Sequence, residues 1–315
     1  MSRGLTLTVL ITGVSPNGLG ASLAQTLAAQ SPSLLILTGR STVKVKAVEK
    51  IIKATYPNVP IRILKLDLVS FDSVRSAAAE INAYDERSID ILINNAGVMN
   101  IPERTLSADG FEMHLATNYL GSFLFTSLIM DKLTANDGAR IVNMSSNGYM
   151  FSPFRFADYN FEGDPLPEEE KPPKALCYLP TIAYGQSKTA IILYSVQLSK
   201  LLANKGVTVV CVHPGCLCFF PFLHLPRANI STSTAIATDP WRHMSEECTE
   251  QIFTMMPMKT PSQGISTALV AALDPKLSVR DRWSSCRKAL ATNRESGQTD
   301  LLALKHDCMI QYPKS

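Results

Sequence analysis

Short apolar runs alternate with longer amphipathic stretches over most of the chain, and this alternation limits the possible folds more than any other feature. The runs are nearly continuous in valine, isoleucine and leucine, which is typical of parallel strands covered on both faces. Strands are predicted at residues 5–11, 34–38, 61–66, 89–93, 139–144 and 207–212, and helices near residues 20–30, 42–55, 70–84, 110–133, 182–204, 245–254 and 261–273. The pattern predicts an α/β fold of three layers, with a doubly wound parallel sheet (a Rossmann fold) between two layers of helices.

The chain of 315 residues is predicted to form a single domain, since α/β folds of this size commonly do. Residues 216–260 are expected to form a substrate loop with helices, and residues 274–315 a C-terminal extension. Residues 158–174 are rich in proline and glutamate, so we expect them to form an exposed excursion.

Composition and charge exclude several classes of protein. Hydrophobic residues make up 46% of the chain and charged residues 18%, a balance typical of globular proteins. The net charge of +3 is small and scattered, so no nucleic-acid partner is expected. The longest uncharged run, residues 207–226, contains prolines and a glycine, which argue against a transmembrane segment. Because no signal peptide is recognised either, we expect a cytoplasmic protein whose apolar loop is able to touch a membrane peripherally.

The cysteines suggest neither a disulfide framework nor a metal site. There are seven, an odd number, and none forms a CxxC pair. Cys216 and Cys218 alternate in an apolar stretch, but the sequence places no second pair of ligands near them. Reduced thiols and no bound metal are therefore predicted.

A glycine-rich turn follows the first predicted strand and leads into the first predicted helix. Glycine permits positive φ and a close approach of the backbone to a pyrophosphate, and the N-terminus of the helix offers unpaired N–H groups. The turn therefore predicts nucleotide binding, with a tight turn that holds no ligand as the alternative. The candidate cofactor-binding residues of the segment TGVSPNGLG are Gly13, Ser15, Asn17, Gly18, Leu19 and Gly20.

The residues after the second predicted strand bear on the kind of nucleotide. NAD sites of this architecture place an Asp or Glu there to bind the ribose hydroxyls. Here the strand ends in LTGRS without an acidic residue, and Arg40 is able to pair with a 2′-phosphate, assisted by Ser41 and Lys44. We predict NADP(H) on this charge argument, with a solvated arginine at the start of a helix as the alternative.

Candidate catalytic residues lie four positions apart on a predicted helix, so that Tyr184 and Lys188 share one helical face. A phenol with an ordinary pKa near ~10 exchanges protons poorly at neutral pH, and a nearby ammonium lowers that pKa. Asn94 ends the fourth predicted strand and Ser146 follows the fifth, and the carboxyl ends of parallel strands meet where ligands bind. The pattern predicts one shared crevice; a surface pair and ordinary turn residues are the alternative.

Taken in order, these segments resemble the short-chain dehydrogenase/reductase family from about residue 5 to about residue 273. The matching segments are TG…GLG at 12–20, LDL around Asp67, NNAG at 94–97, TNYLG at 117–121, IVNMSS at 141–146, YGQSK at 184–188 and HPG at 213–215. Within the family, the chain is most similar to retinol-dehydrogenase-like and fungal ketoreductase-like members, on the segments DYNF at 158–161, AYGQSKTA at 183–190 and KTPSQG at 259–264.

The resemblance implies a role for each matching residue. Tyr184 would be the general acid or base, and Lys188 would hold the nicotinamide ribose and activate Tyr184. Ser146 would bind the substrate oxygen, and Asn118 would hold a water of a proton relay. Further cofactor contacts are implied for Asp67 and Leu68 at the adenine, for Asn94, Ala96 and Gly97 near the adenosine ribose, and for Pro214 and Gly215.

The resemblance thus implies an NADP(H)-dependent oxidoreductase that interconverts a ketone or aldehyde and an alcohol. Residues 216–225 are strongly apolar and indicate a hydrophobic substrate, with core filling as the alternative. The resemblance also suggests a homodimer or homotetramer, because the family uses long helices like those predicted at 110–133 and 182–204 for assembly.

Three features depart from the family pattern, one of which is Ile191, where relatives of this subgroup often have Asn. The glycine turn is slightly longer than its commonest version, and Phe219 stands where the family often has a hydroxyl for the nicotinamide carboxamide. Two other functions therefore stay open beside the main one. They are an NAD-linked alcohol dehydrogenase and a non-catalytic NADP-binding or scaffold protein.

Overall fold

The main sheet consists of six parallel strands, in a computed structural model that describes residues 7–172, 177–214, 235–236 and 258–277. The strands are β1 (Thr8–Ile11), β2 (Leu34–Gly39), β3 (Ile61–Lys65), β4 (Ile91–Asn94), β5 (Arg140–Met144) and β6 (Thr208–Val212). Their order in the sheet is β3-β2-β1-β4-β5-β6, which confirms the predicted doubly wound fold. A second, short parallel pair joins β7 (Ala235–Ile236) to β8 (Met258–Lys259).

Helices cover both faces of the main sheet. They are α1 (Leu19–Ala28), α2 (Thr42–Thr55), α3 (Phe71–Asn82), α4 (Met113–Leu115), α5 (Gly121–Leu128), α6 (Met130–Thr134), α7 (Pro180–Leu201) and α8 (Pro261–Leu273). A π-helical turn (Ala116–Leu120) joins α4 to α5, and 3₁₀ turns occur at Asn147–Phe151 and Glu168–Glu170. No helix among these described residues is long and apolar enough to cross a membrane.

Alternate residues of each strand contribute to two separate cores. Val9 and Ile11 of β1 belong to the core beneath α1, α2 and α8, whereas Leu10 between them belongs to the core beneath α3, α5 and α7. Both faces of the central strands are therefore apolar, which explains why their sequences are continuous in aliphatic residues. The carboxyl ends of β1 and β4, the strands at which the sheet order reverses, remain available for a ligand.

The long helix predicted at residues 110–133 is wrong in one respect, because the structure interrupts it. The π-helical turn places Asn118 where its side chain bonds the backbone of Val98, and Ile129 leaves helical geometry between α5 and α6. Such π turns are often found at functional sites. The bonds that fix Asn118 come from distant parts of the chain, so helical periodicity does not reveal them.

The exposed excursion predicted at residues 158–174 is wrong for its first residues. Asp158, Asn160 and Phe161 are buried, because the Asp158 carboxylate pairs with the buried guanidinium of Arg155. Arg155 also stacks over the ring of Phe161, with its guanidinium carbon 4.3 Å from the ring centroid. Within the described part of this segment, the later residues 163–171 are mostly exposed, as predicted.

Several predictions concern residues that lie outside the described part of the chain. These are the helix at 245–254, the apolar stretch at 216–225 with Phe219, the Cys216 and Cys218 pair, and Gly215. The predicted substrate segment at 216–260 and the C-terminal extension at 274–315 are described only at 235–236, 258–260 and 274–277.

Candidate functional site

A cleft of about 360 Å³ lies at the carboxyl edge of the sheet, across the ends of β1 and β4. Its volume falls within the range of small-molecule and cofactor sites. Most of the predicted cofactor-binding residues line it, namely Gly13, Ser15, Gly18, Leu19, Arg40, Ser41, Lys44, Asp67, Leu68, Ala96, Gly97, Tyr184, Lys188 and Pro214. Asn17, Gly20 and Asn94 are not among the lining residues.

The glycine turn is shaped by close contacts with the rest of the protein. Gly13 has φ of +72°, and a Cβ there would lie 2.6 Å from the Cα of Ala96. A Cβ on Gly20 would lie 2.6 Å from the carbonyl oxygen of Gly13, so Gly20 serves packing inside the turn. Asn17 takes a left-handed φ of 62°, which asparagine tolerates better than most residues. The turn therefore needs glycine at 13 and 20 for its own geometry, while Gly18 and the start of α1 face the cleft.

The turn is fastened to the end of β4 by Thr12 and Asn95, which belong to the matching segments but were given no role by the sequence. The Thr12 hydroxyl accepts hydrogen bonds from the backbone N–H groups of Asn95 (3.0 Å) and Ala96 (3.1 Å). The Asn95 side-chain amide donates to the carbonyl oxygen of Thr12 at 2.8 Å. These bonds hold together the ends of the two strands between which the cleft opens.

Arg40, Ser41 and Lys44 form one end of the cleft. Arg40 and Lys44 are exposed, and neither makes an ion pair within the described ranges. Ser41 begins α2 as its N-cap residue, and its hydroxyl makes no capping bond. Two free cations and an uncommitted hydroxyl at a helix N-terminus are suited to bind a phosphate group.

Asp67 and Leu68 line the cleft directly after β3. One carboxylate oxygen of Asp67 accepts the backbone N–H of Val69 at 3.2 Å, and the N–H of Asp67 donates to the Ser73 hydroxyl at 3.1 Å. These bonds fix the orientation of the carboxylate and leave its other oxygen able to accept a ligand donor.

Two threonines of the cleft were missed by the sequence interpretation. The hydroxyls of Thr38 and Thr117 are buried, have no hydrogen-bond partner in the described structure, and belong to residues that line the cleft. Because both oxygens are shielded from solvent, a ligand in the cleft would reach them only after a movement of these side chains. The residues present fit an extended nucleotide through the glycine turn and through Arg40, Ser41 and Lys44 at the start of α2. No sequence signal marks a hydroxyl as unpaired, since that property depends on the surrounding fold.

Tyr184 and Lys188 lie at the other end of the cleft, one turn apart on α7. The ammonium of Lys188 lies 5.5 Å from the centroid of the Tyr184 ring and donates to the carbonyl oxygen of Met144 at 3.0 Å. Lys188 is only 5% exposed. Burial lowers the pKa of Lys188 to about 8, and the nearby Cys211 partly opposes this effect. The side chain thus stays protonated at neutral pH but is close to its titration range.

Ser146 approaches Tyr184 across Gly148. A Cβ on Gly148 would lie 2.7 Å from Cε1 of Tyr184 and 3.5 Å from the Ser146 hydroxyl oxygen. That oxygen accepts the backbone N–H of Gly148 at 3.1 Å, which leaves its own O–H available to donate. The absence of a side chain on Gly148 therefore allows the phenol ring to pack against the turn that follows β5. Ser146 itself is not among the lining residues of the cleft.

Asn118 lies beside Lys188, but its side chain is largely committed. Its Oδ1 accepts the Val98 N–H at 2.7 Å, and its amide N–H groups donate to the Val98 carbonyl (3.0 Å) and the Ser187 hydroxyl (2.9 Å). A Cβ on Gly97 would lie 3.2 Å from Asn118 Oδ1 and 3.6 Å from the Lys188 ammonium nitrogen. Asn118 thus fixes the loop after β4 beside the lysine, and any water has at most one acceptor position on its side chain.

The implied ribose contact of Asn94 is not supported by its position. Its side chain is buried and donates to Thr126 Oγ1 at 3.1 Å and to Asn143 Oδ1 at 2.9 Å. Asn143 in turn donates to the Ser195 hydroxyl at 2.8 Å. Both donors of Asn94 are thus used in a buried network that links β4 to β5 and α5, while its Oδ1 is buried without a partner among the described residues.

Comparisons with known proteins show which family the chain resembles. A family model described as short chain dehydrogenase matches residues 7–160. The chain is 42% identical to oxidoreductase fscI of Fusarium equiseti, over 66% of this chain and 86% of that protein. It is 40% identical to retinol dehydrogenase 13 of Homo sapiens over 66% of this chain, an alignment that spans only 58% of the human protein.

The fold is also found among solved structures. A short-chain dehydrogenase from Sphingobium yanoikuyae, in complex with NADPH, aligns with a TM-score of 0.60 over 93% of this chain and 98% of that chain. The sequence identity of 22% makes this a likeness of fold.

Proposed function

The chain belongs to the short-chain dehydrogenase/reductase family, whose members are oxidoreductases that use a nicotinamide cofactor, and from this premise we propose that it interconverts a carbonyl compound and an alcohol with NADP(H). The observation that carries the proposal is the arrangement of the cleft. Tyr184 and the buried ammonium of Lys188 occupy one end, and the exposed cations Arg40 and Lys44 occupy the other. The glycine turn lies between them.

The proposed chemistry divides between cofactor and protein. When bound, the cofactor supplies or accepts a hydride at the substrate carbon. The protein has to polarise the substrate oxygen and exchange a proton with it, and two hydroxyl donors are available for this work. Tyr184 transfers the proton, and the O–H of Ser146, which lies across Gly148 from the tyrosine ring, donates to the same oxygen.

Lys188 supports Tyr184 through its charge. An ammonium near a phenol favours the phenolate, so Lys188 makes proton release from Tyr184 easier in alcohol oxidation. The bond from Lys188 to the carbonyl oxygen of Met144 fixes the ammonium in place, and two donor positions remain for the ribose.

The proposed test of catalysis is Tyr184→Phe, which removes the transferable proton and keeps the ring. General acid–base catalysis contributes roughly 10²- to 10⁴-fold, so turnover should fall by that factor while cofactor affinity stays the same. Tyr56→Phe is the matched control, since Tyr56 lies at the end of α2, far from the cleft lining. A variant that keeps wild-type turnover would remove Tyr184 from the mechanism, and with it the proposed reaction.

The preference for NADP(H) is supported by Arg40, Ser41 and Lys44 and by the lack of a carboxylate directly after β2. Hydrogen bonds between charged groups contribute about 1.5–3 kcal/mol. Arg40→Ala should therefore lower kcat/KM for NADPH by about tenfold or more and leave the value for NADH unchanged. Arg87→Ala removes an exposed arginine elsewhere and serves as the control. An equal loss with both cofactors would favour the NAD-linked alternative.

The proposed substrate is a hydrophobic ketone, aldehyde or alcohol. This rests on the apolar residues 216–225 and on the likeness to a protein named retinol dehydrogenase. A panel that pairs retinal and other bulky apolar carbonyls with small polar ones, read at the nicotinamide absorbance band, tests the class. Cofactor binding without turnover on any member would favour the non-catalytic alternative.

Two further predictions concern assembly and location. We propose a homodimer or homotetramer in the cytoplasm, in peripheral contact with membranes through residues 216–225. Light scattering on the purified chain tests the first. Vesicle sedimentation with and without these residues tests the second, and equal sedimentation would contradict it.

A further inference from the structure

A buried carboxylate–imidazole pair stands just before the π-helical turn and takes no part in the reaction proposed above. The side chains of Glu112 and His114 are both 0% exposed. The Nδ1 of His114 lies 2.7 Å from Glu112 Oε1. Glu112 also accepts the backbone N–H groups of His114 (3.0 Å) and Leu115 (2.9 Å), so it caps the N-terminus of α4.

The hydrogen bonds define the tautomer of His114. The backbone N–H of Ile101 points at Nε2 of His114 from 3.2 Å, and a backbone N–H only donates. Nε2 must therefore accept, which places the single ring proton on Nδ1, where it is donated to Glu112. Both ring nitrogens are thus used, and the carboxylate fixes the tautomer that binds Ile101.

Ile101 is held from its carbonyl side as well. The Tyr178 hydroxyl donates to the Ile101 carbonyl oxygen at 2.8 Å. Burial, and then the charge of Glu112, raise the pKa of Tyr178, so it remains a donor over the whole working range. Asn100, immediately before, takes a left-handed φ of 55°. Non-glycine residues persist in that region where their surroundings fix them, and two side-chain bonds to the next residue provide this restraint.

The loop of residues 98–101, which follows β4, forms a wall of the cleft at its reactive end. Val98 and Met99 are lining residues, together with Tyr184 and Lys188. Asn118 fixes the loop at Val98, and His114 and Tyr178 fix it at Ile101. The ring of His114 also contacts the ring of Tyr184 edge-on, with the centroids 6.2 Å apart. The same imidazole therefore touches both the cleft wall and the proton donor.

We propose that His114, oriented by Glu112 and assisted by Tyr178, is a positioning residue that sets the loop at 98–101 and the ring of Tyr184 relative to Lys188. The proposal rests on the proposed function, since it concerns how Tyr184 is presented to a substrate. A shift of a reacting group by about 1 Å can cost as much as 10²-fold in rate. His114 thus acts on the reaction through Tyr184, which it contacts, without touching substrate.

Two substitutions of His114 distinguish the role of its Nε2 from the role of its Nδ1. In His114→Gln, the amide oxygen can take the place of Nε2 and accept from Ile101, and the longer side chain can still pack against the ring of Tyr184, whereas the shorter side chain of Asn leaves a gap there. In His114→Asn, the amide nitrogen can take the place of Nδ1 and donate to Glu112, but nothing reaches Ile101. Both variants leave a polar amide in the same buried site. Tyr178→Phe removes the carbonyl-side bond and keeps the ring contact with Phe161, whose centroid is 5.5 Å away.

The variants are expected to differ in kcat. His114→Asn should lower kcat by about tenfold and Tyr178→Phe by about threefold, while His114→Gln stays within about twofold of wild type. The affinity for the cofactor, measured by fluorescence titration, should stay unchanged because its phosphate end binds far from the loop. In alcohol oxidation, the acid limb of the kcat/KM profile should move to higher pH in His114→Asn alone, because a displaced ring is helped less by the Lys188 ammonium.

The control for a structural role is thermal unfolding. A fall in Tm of both His114 variants with unchanged kcat and pH profile would overturn the proposal, as would equal losses of kcat in His114→Asn and His114→Gln. If wild type turns over and the variants do not differ from it, only the positioning role fails.

A second measurement reads the same effect without any substrate. Ultraviolet titration of each protein minus its Tyr184→Phe counterpart isolates the ionisation of this one phenol. The midpoint should lie higher in His114→Asn than in wild type, since displacement from Lys188 disfavours the phenolate. Identical midpoints would reject the positioning role even if no substrate is turned over, whereas a shifted midpoint together with no turnover would reject only the proposed function.

Discussion

Between the two ends of the cleft, one continuous stretch of chain, residues 12–20, forms the glycine turn, whereas the reactive end is assembled from at least five separate stretches. Gly13 and Gly20 shape the first through contacts of the backbone. The second depends on side-chain hydrogen bonds that join residues far apart in sequence, such as Asn118 to Ser187 and His114 to Ile101. The comparison teaches that a local motif can specify a binding surface, while a reactive geometry requires a network formed only in the folded protein.

The largest expected effect belongs to the reactive end. Lys188→Met keeps an unbranched side chain of similar length and removes the charge that supports Tyr184. Turnover should fall by roughly 10²- to 10⁴-fold, because the base is no longer activated and the ribose loses a donor. Lys200→Met, at the exposed end of the same helix, is the control. If both variants retain full turnover, the side chains joined at the reactive end of the cleft do not contribute to catalysis.

The titration of Lys188 adds a pH dependence. Burial lowers the pKa of Lys188 to about 8 in the folded protein, below the value of about 10.4 for an unfolded chain. The folded state therefore releases this proton first, and above pH 8 the support for Tyr184 is lost. The same shift makes the unfolded state bind more protons between about pH 8 and 10.4, so this group's contribution to stability rises with pH across that window. Pre-steady-state rates measured across this pH window check the loss of support for Tyr184. Chemical unfolding measured across the same window checks the rise in stability.

Gly13→Ala tests the glycine turn. Positive φ costs a non-glycine residue roughly 1–3 kcal/mol, and the new Cβ would also lie 2.6 Å from the Cα of Ala96. We expect a loss of about 3 kcal/mol or more in the free energy of unfolding, with loss of cofactor binding. Gly163→Ala shares the positive φ (+99°) but meets no atom within 4 Å, so it isolates the backbone contribution. Equal losses in the two variants would show that close packing against Ala96 is not needed.

The same comparison explains which predictions from sequence succeed. The bounds of α2 and α8 agree with prediction, and α8 carries its own start signal in Pro261 and the capping box of Thr260 with Gln263. The interruption of the helix at Asn118 was missed because its partners Val98 and Ser187 are distant in sequence and are brought there by the fold. The burial of Asp158 was missed although its partner Arg155 lies only three residues before it. Helical and strand periodicities report which face is apolar, and they carry no information on which polar side chains meet.

Asn94 belongs to the local NNAG motif, but its side chain takes part in a buried hydrogen-bond network with Thr126 and Asn143. Asn94→Ala should lower the free energy of unfolding by about 1–3 kcal/mol, because Thr126 and Asn143 lose a buried partner. Cofactor affinity, measured by titration, should remain unchanged. A weakened affinity in a variant of unchanged stability would instead restore the ribose contact that the sequence motif implied.

The smallest expected effect concerns Thr117, a cleft-lining residue whose buried hydroxyl has no partner among the described residues. We expect cofactor binding to turn this hydroxyl toward the ligand. Thr117→Val keeps the shape and removes that hydroxyl, so the free energy of unfolding should stay equal or rise by up to about 1 kcal/mol, while cofactor affinity falls about threefold to tenfold. Thr126→Val is the matched control, because the Thr126 hydroxyl already accepts from Asn94 and its loss should lower stability without changing affinity. Paired unfolding curves and cofactor titrations distinguish the two threonines. If Thr117→Val loses stability and retains affinity, its hydroxyl has a protein partner, and the cleft at this point is ordinary packing.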